Sequence, residues 1–509
     1  MIIDSFFSTL GGFFTDPAML GLLVAGTVLG LVLGAIPGIS STMALAILMP
    51  VTFAMEPGAA ILFLMAIFMS SVYGGSISAI LMKLPGTPAS IVTQIDGYPM
   101  ARQGKAGQAL TYALIASTVG ALFGLALLVI LAPALAGLAK NFRSPEFAAI
   151  ALFGIVMLSF ASGGSVLLAT VVGFIGVLLG MVGFDALTDA QRMTMGNPAL
   201  QSGLNLIPVM IGLFGLAEIL NNLIDCPPRI TEKARIGRVS VPLGDLLSRW
   251  KVMLRGSLIG TFVGAIPAAG SAVAVSIAYA QERKLSKEGD KFGTGHPDGI
   301  VAPEAANSAA VGGSLIPLLS LGIPGDSITA VLMGALMIHG LTPGPLLFAN
   351  NPEFVSWIYV SVLLALVATL ALGLGMIRAA VLIVKVPVNL MSIFITLFCV
   401  IGAFSIRNDM NDVYVMIAFG VVGVIFLRLD LPVTSLAFGL ILGPMLEENL
   451  RRSLLLSRGS WSVFIERPIA AALIAVSLLL ILMPLVARLL PGRGRSGGGV
   501  AKAARTPAK

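Results

Sequence analysis

The sequence predicts an all-α polytopic membrane protein built from two inverted-topology repeats, with broken or re-entrant helices at a central site. Of its 509 residues, 57% are hydrophobic and 11% charged, and the mean hydropathy is +0.99, whereas soluble domains carry about 25% charged residues. Apolar runs near the ~20 residues that cross hydrocarbon recur along the whole chain. Several of these runs contain proline and glycine, and the same motifs occur in both halves.

Other classes of protein fit this composition poorly. A soluble protein would not carry so many long apolar runs, and a membrane β-barrel would need alternating segments of about 10 residues, which are absent. The net charge of +7 comes from loops and the tail, so it indicates orientation and not nucleic-acid binding. Cys226 and Cys399 have no metal or redox spacing. The sequence has no phosphate-loop motif for ATP, and no cofactor is expected.

The chain divides into five segments. Residues 1–17 lack Lys and Arg and are expected to form an interfacial segment, not a removable signal peptide. Transmembrane repeats at 18–224 and 253–450 flank a basic linker at 225–252, and 451–509 holds a further helix and a basic tail. The candidate spans are 18–36, 39–55, 59–83, 110–139, 146–160, 164–183, 204–224, 253–280, 305–338, 354–377, 379–404, 413–427, 431–446 and 469–490.

The two halves share three motifs in the same order. The stretch "LGAIPGIS" (33–40) matches "VGAIPAAGS" (263–271). The stretch "YGGSISAILMKLPGTPASIV" (73–92) matches "VGGSLIPLLSLGIPGDSITA" (311–330). Each half therefore carries G-A-I-P, then G-G-S, then P-G followed by a hydroxyl residue. This order predicts an internal repeat.

The charges of equivalent loops predict that the repeats are inverted. The loop at 281–291 is basic, whereas its counterpart at 53–60 has no Lys or Arg. The loop with Arg102 and Lys105 is basic, and its counterpart at 339–353 has neither residue type. Because basic loops face the cytoplasm, equivalent loops are expected on opposite sides. Lys140 and Arg143 fit this scheme poorly.

The rule that basic loops face the cytoplasm also predicts the path of the segment 253–280. The linker and the loop 281–291 on either side of it are both basic, so both are expected in the cytoplasm, together with the C-terminal tail. The segment is therefore expected to turn back as a re-entrant hairpin. Non-helical backbone at membrane depth is tolerated where it is buried in protein or lines a cavity.

The broken segments predict a binding site at membrane depth. Proline and glycine stop a helix and leave backbone N–H groups that an anion can accept, helped by the positive end of the helix dipole. Two such breaks in related repeats are typical of a transporter's central site. The alternative is that these motifs only allow close helix packing and kinks. The candidate substrate-binding residues are Pro37, Gly38, Ser40, Ser41, Gly75, Ser76, Gly86, Thr87, Ser90, Gly270, Ser271, Asn307, Gly313, Ser314, Gly325 and Ser327.

Charged residues near the breaks each allow two interpretations. Asp326, in an apolar run, either coordinates Na⁺ with Ser327 and Thr329 or caps the next helix. Lys83 either extends to the membrane surface or biases the cavity toward anions. An intramembrane aspartyl hydrolase would need a second aspartate, and Asp185 and Asp189 are weak candidates.

The polar stretch at 292–314 is a further candidate element of the site. It contains His296, Asp298, Glu304 and Asn307. A single histidine supports a zinc site poorly. We expect a loop that covers or gates the cavity, with Asn307 close enough to line it.

The motifs "GAIPGISSTMALAILMP", "YGGSISAILMKLPGTPAS" and "FGTGHPDGIVAPEAANSAAVGGSLIPLLSLGIPGDSITAVLMGALMIHGLTPGP" closely resemble the large membrane subunit, of the TctA type, of the tripartite tricarboxylate transporters. The resemblance covers about residues 18–450. It implies a multi-pass permease of the bacterial inner membrane that works with a small membrane subunit and a periplasmic substrate-binding protein. It also implies ion-gradient-driven uptake of carboxylates such as citrate, with Na⁺ as the common coupling ion. The alternatives are a stand-alone secondary carrier or channel for organic anions, or an intramembrane hydrolase.

Overall fold

A computed structural model describes residues 2–161, 165–185, 187–225, 237–267, 269–383 and 388–489. These residues are almost entirely helical, and six helices among them are long and apolar enough to cross a membrane. The prediction of an all-α polytopic membrane protein is confirmed. The tail from residue 490 onward and Cys226 lie outside the described residues, and Cys399 is buried.

The first half contains ten α-helices and one short hairpin among the described residues. A 3-10 helix (Met49–Ala54) follows α3, a π-helical turn (Ala101–Lys105) links α5 to α6, and another (Ile211–Leu216) joins α9 to α10. Strands β1 (Gly183–Phe184) and β2 (Gln191–Arg192) pair antiparallel. The helices are α1 (Ile2–Thr15), α2 (Pro17–Ala35), α3 (Ser41–Leu48), α4 (Pro57–Met82), α5 (Ser90–Met100), α6 (Ala106–Ala139), α7 (Ser144–Ala161), α8 (Val166–Gly180), α9 (Leu206–Met210) and α10 (Ala217–Asp225).

The second half, within the described ranges, contains thirteen α-helices and no strand. Its helices are α11 (Leu243–Ser248), α12 (Trp250–Ala265), α13 (Gly270–Leu285), α14 (Asp298–Leu321), α15 (Ser327–Ile338), α16 (Pro345–Asn350), α17 (Pro352–Met376), α18 (Ala380–Ile383), α19 (Val388–Ser405), α20 (Met410–Arg428), α21 (Val433–Leu456), α22 (Val463–Glu466) and α23 (Pro468–Leu489).

The helices are interrupted at all four proline–glycine motifs. The G-A-I-P motifs separate α2 from α3 and α12 from α13. The P-G motifs separate α4 from α5 and α14 from α15. Helices α4 and α14 end in the same way, because Lys83 (φ 58°) and Gly322 (φ 72°) adopt the left-handed conformation that closes a helix C-terminus.

Both halves bring two of these helices together through a stripe of glycines. A Cβ built on Gly30 of α2 would lie 2.7 Å from the Ile67 carbonyl oxygen of α4, and one on Gly260 of α12 would lie 2.2 Å from the Ala306 oxygen of α14. Such distances leave no room for a side chain. The same kind of contact recurs one turn before and one turn after, at Gly26, Gly34, Gly256 and Gly264. The α2–α4 and α12–α14 pairs therefore share one packing arrangement.

The structure corrects one of the predicted elements. The stretch 292–314 is not a loop, because α14 begins at Asp298 and only residues 292–297 precede it as irregular chain. From Ala302 onward the stretch is rich in alanine, the residue with the highest helix propensity, and its helix packs against α6 and α12. The candidate span 253–280 is interrupted between Ala265 and Gly270, as expected for a segment that turns back. Its two helices of 16 residues, α12 and α13, pack against each other and against α14.

The chain before α14 is fastened to α5 by one carboxylate. Oδ1 of the buried Asp96 accepts hydrogen bonds from the backbone N–H groups of Gly293, Gly295 and His296 at 2.8–2.9 Å. The Tyr279 hydroxyl of α13 donates to Oδ2 at 2.9 Å. Asp96 thereby fixes the point at which α14 begins.

We expect Gly260→Ala to destabilise the protein, because its methyl group would meet the Ala306 carbonyl oxygen. Overpacking of this kind costs about 1–3 kcal/mol. The control is Gly137→Ala in α6, where no atom lies within 4 Å of the added Cβ and the gain in helix propensity is up to about 1 kcal/mol. Thermal unfolding in detergent measures both. Equal unfolding temperatures for the two variants would contradict the close contact.

Candidate functional site

The N-terminal ends of four helices border one cavity of about 530 Å³. The helices are α3, α5, α13 and α15, and each begins just after one of the four breaks. Helices α10 and α14, the π-helical turn before α10 and the turn before α21 contribute to the wall, together with single residues of α4, α7 and α20. Of the predicted substrate-binding residues and Na⁺ ligands, those that line the cavity are Ser40, Ser41, Thr87, Gly270, Ser271, Asn307, Asp326 and Ser327.

Two of these helices carry side-chain caps. The Ser40 hydroxyl accepts the Met43 N–H of α3 at 3.2 Å, and Asp326 accepts the Thr329 N–H of α15 at 2.8 Å. Helices α5 and α13 begin after alanine residues that supply no capping side chain. First-turn N–H groups and the positive ends of the helix dipoles therefore border the cavity from four directions, which favours an anion.

Three buried donors at the cavity have no hydrogen-bond partner within the described part of the chain. They are the Ser41 and Thr87 hydroxyls and the Asn307 side-chain amide nitrogen. Their residues are only 2%, 8% and 2% exposed. Buried polar groups are nearly always hydrogen-bonded in folded proteins. These three groups, which come from both halves of the chain, are therefore positioned to bind a ligand or ordered water.

Two carboxyl groups line the same cavity. Oδ1 of Asp326 accepts both the backbone N–H and the hydroxyl of Thr329, at 2.8 and 2.7 Å, so the capping role is fulfilled. The other carboxyl belongs to Glu218 of α10, whose Oε2 accepts the Ser40 hydroxyl at 2.7 Å. Among the described residues no Lys, Arg or His lines the cavity.

Sequence reasoning missed Glu218. It lies close to the end of the span predicted at 204–224, where a carboxylate resembles the polar boundary of a helix. A signal was present, because an ionisable residue within a span is a candidate functional group by default.

The two halves make direct contact at the cavity wall. The Thr42 hydroxyl of α3 and the Ser327 hydroxyl of α15 are 2.9 Å apart. Within the first half, the Asn222 amide of α10 donates to the Gly38 carbonyl oxygen at 2.8 Å. Pro37 and Gly38 do not line the cavity themselves. They shape the first break.

Several other predicted residues lie outside the cavity and serve helix packing. The Gly86 N–H donates to the Gly75 carbonyl oxygen at 3.2 Å, and a Cβ on Gly325 would lie 2.6 Å from the Ser314 Cα. A Cβ on Gly313 would meet the Thr261 carbonyl oxygen. For these glycines the close-packing interpretation fits the structure.

The predicted hydroxyls outside the cavity have partners of their own. Ser90 donates to the Thr87 carbonyl oxygen at 2.8 Å, and Ser314 donates to the Val311 carbonyl oxygen at 3.1 Å. Thr329 is occupied by the cap with Asp326. These groups hold the breaks in shape.

Ser76 also lies outside the cavity, bound to a buried carboxyl group. Glu304 of α14 accepts hydrogen bonds from Ser76 of α4 at 2.6 Å, from Thr93 of α5 and from Ser117 of α6 at 3.0 Å. All four side chains are buried. Because Asn307 lies one turn further along α14, this cluster fixes the helix that presents the Asn307 amide to the cavity.

The remaining charged candidates lie elsewhere. Lys83 is exposed, with Nζ 6.0 Å from the centroid of the Tyr98 ring, and does not line the cavity. His296 stacks on Phe292, and its Nε2 is 3.0 Å from a Glu288 carboxylate oxygen. No group of three or more His, Cys, Asp or Glu side chains suited to a metal ion occurs within the described ranges.

Neither aspartate proposed for a hydrolase pairs with Asp326. Asp185 lies at the β-hairpin, bound by Thr188, Arg192 and Arg451, and these contacts lower the pKa of its carboxyl well below the ordinary value. Asp189 is exposed in the same turn. An aspartyl dyad built on either residue is therefore not formed in this structure.

Comparison with known proteins identifies the family of the chain. The chain matches the tripartite tricarboxylate transporter TctA family over residues 20–437. It belongs to that family. The family resemblance is thus confirmed, and it points to a transporter and not to an enzyme.

Two relatives come from Agrobacterium vitis. One, described as an uncharacterised 52.8 kDa protein in the TAR-I ttuC' 3' region, is 38% identical over 461 residues, which cover 91% of this chain and 92% of the relative. The other, an uncharacterised protein in the TAR-II ttuC' 3' region, is 36% identical over 227 residues, 45% of this chain and 94% of the relative. No solved structure matches the chain.

Proposed function

We propose that this protein is the permease subunit of a binding-protein-dependent importer of carboxylates, such as citrate or other tricarboxylates, in the bacterial inner membrane. An ion gradient, with Na⁺ as the coupling ion, drives the import. The partners are a small membrane subunit and a periplasmic substrate-binding protein. The observation that carries the proposal is the cavity where four helix N-termini meet three donors that have no partner among the described residues. No cationic side chain of those residues lines it.

The cavity has the chemistry that a small carboxylate needs. Its volume of about 530 Å³ falls within the range of about 300–1,000 Å³ typical of small-molecule sites. Carboxylate oxygens accept hydrogen bonds from Ser41, Thr87 and Asn307, and the first-turn N–H groups add their dipoles. Leu213 and Phe214 supply apolar wall, which excludes water and strengthens these interactions.

Vesicles reconstituted with and without the two partners test the proposal. We expect carboxylate uptake only when the small subunit and a loaded binding protein are both present. Full uptake by this chain alone would favour a stand-alone carrier or channel. Proteolysis without any transport would favour the hydrolase.

In the same assay, Ser41→Ala should weaken substrate binding. The loss of one neutral hydrogen bond, about 0.5–1.5 kcal/mol, corresponds to a roughly two- to tenfold rise in the apparent KM for uptake. Ser361→Ala is the matched control, because Ser361 is also a buried hydroxyl without a partner in the described chain but does not line the cavity. If both variants behave like the wild type, Ser41 does not bind substrate.

Asp326 and Ser327 are the proposed Na⁺ ligands. Both line the cavity, and the Thr42 hydroxyl lies 2.9 Å from that of Ser327. Hard cations such as Na⁺ prefer oxygen ligands, and the charge of a carboxylate sets much of the affinity. Thr329, the third predicted ligand, has its hydroxyl committed to the cap, so its contribution is to orient the Asp326 carboxylate.

We expect Asp326→Asn to raise the Na⁺ concentration for half-maximal uptake by about tenfold or more, because an amide supplies no formal charge. Asparagine caps a helix about as well as aspartate, so folding should be preserved. Asp409→Asn is the matched control, since Asp409 caps α20 away from the cavity. Ser327→Ala should have a smaller effect than Asp326→Asn. An unchanged Na⁺ response in Asp326→Asn would leave the residue as a cap only.

The two repeats are proposed to have inverted topology, with α12 and α13 forming a re-entrant hairpin. Each of these helices has 16 residues, about 24 Å at 1.5 Å per residue, which is shorter than the ~30 Å hydrocarbon core. In a background without Cys226 and Cys399, Glu56→Cys should react with an impermeant reagent from the periplasm. Lys287→Cys should react only after permeabilisation. Labelling of Lys287→Cys in intact cells would overturn the inverted arrangement.

A further inference from the structure

Helix α10 holds the first break through two side chains one turn apart. The Ser40 hydroxyl donates to Glu218 Oε2 at 2.7 Å, and the Asn222 amide donates to the Gly38 carbonyl oxygen at 2.8 Å. Glu218 thus lines the cavity and is hydrogen-bonded to Ser40, the residue that caps α3.

No cationic side chain of the described residues lines the cavity wall beside Glu218. Asp326 is the other ionisable group on the cavity wall among the described residues. Of the elements that pack against α10, α19 brings the buried Cys399 close to Gly215, and α20 carries Asp412, Tyr414 and Arg428. Asp412 is paired with Arg407 at the far end of α20, and Tyr414 and Arg428 are exposed.

An anionic substrate in this cavity favours the protonated form of Glu218 over the ionised form. An ionised Glu218 would face the substrate's carboxylates across a low-dielectric space, where like charges repel strongly. A protonated Glu218 removes that repulsion and still accepts the Ser40 hydrogen bond. By linkage, a substrate that favours the protonated form binds more tightly when the proton is present.

We propose that Glu218 binds a proton and carries it inward together with the carboxylate substrate. This inference rests on the proposed transport function. In each cycle one proton from water on the periplasmic side binds a Glu218 carboxylate oxygen as the substrate enters, and the same proton leaves to cytoplasmic water after the substrate departs. The O–H bond formed on one side is broken on the other, so no further reactant is needed.

Asp326 differs from Glu218 in that its carboxylate caps a helix. Its Oδ1 accepts the backbone N–H and the hydroxyl of Thr329 at the N-terminus of α15. The helix dipole and these donors offset part of the cost of burying the carboxylate charge, and a bound cation would offset more of it. Glu218 is the N-cap of no helix. In this proposal Asp326 therefore binds Na⁺ and Glu218 binds the proton.

Vesicles holding the complete transporter and a trapped pH dye test the proposal at a clamped membrane potential. In the wild type, addition of substrate with its binding protein should acidify the lumen. Glu218→Gln mimics the permanently protonated form and has no proton to release, so net uptake should fall by more than about tenfold and the acidification should vanish. Exchange of internal for external substrate, which needs no deprotonation, should fall less than about threefold.

Two comparisons make the outcome decisive. Glu218→Asp, which keeps the carboxyl group, should restore part of the acidification, and the exposed Glu353→Gln should match the wild type. Substrate uptake without lumen acidification in the wild type would overturn the proton role while leaving the proposed transport intact. Acidification that persists in Glu218→Gln would overturn the assignment to this residue. Absence of any uptake in the wild type would refute the transport function itself.

Discussion

The structure depends on one constraint, which is that backbone N–H and C=O groups at membrane depth must find partners. Four proline–glycine motifs stop helices within apolar segments, and each stop leaves first-turn N–H groups without intrahelical acceptors. Spread over the lipid surface, these groups would each cost several kcal/mol. The fold instead gathers α3, α5, α13 and α15 around one cavity. The breaks are tolerated because they face one shared cavity, and the N–H groups gathered there are the basis of the proposed anion site.

Close packing makes this convergence possible. The glycines of α2 and α12 let those helices approach the backbones of α4 and α14, and the same contact recurs on successive turns. With lipid on the outside, helices in a membrane associate through such van der Waals contact and not through hydrophobic burial. Polar side chains then fix how these helices align. Glu304 accepts hydrogen bonds from hydroxyls on three helices, and Asp96 accepts hydrogen bonds from three backbone N–H groups of the chain that leads into α14.

The sequence predicted the positions of the breaks because proline and glycine act locally. It predicted the membrane class because composition alone carries that signal. It did not predict which hydroxyls would face the cavity, since Ser41 and Ser76 look alike in sequence. In the structure Ser41 has no hydrogen-bond partner among the described residues, whereas Ser76 donates to Glu304. The partners of Ser76 and Ser40 are acids from distant segments, and only the folded chain brings them together. Glu218 was missed for the same reason.

The charges of the cavity connect substrate recognition to ion coupling. Among the described residues the wall has two acids and no base, so an incoming carboxylate meets donors that are neutral dipoles. Dipoles can orient an anion, but they do not cancel its charge. In the proposed cycle the cancelling charges arrive from solution, as Na⁺ at Asp326 and as a proton on Glu218. A fixed lysine or arginine would bind the anion in the absence of either gradient and would hold it on the cytoplasmic side. A wall without fixed cations binds strongly when the coupling ions are present and releases when they leave, which is the requirement for net import.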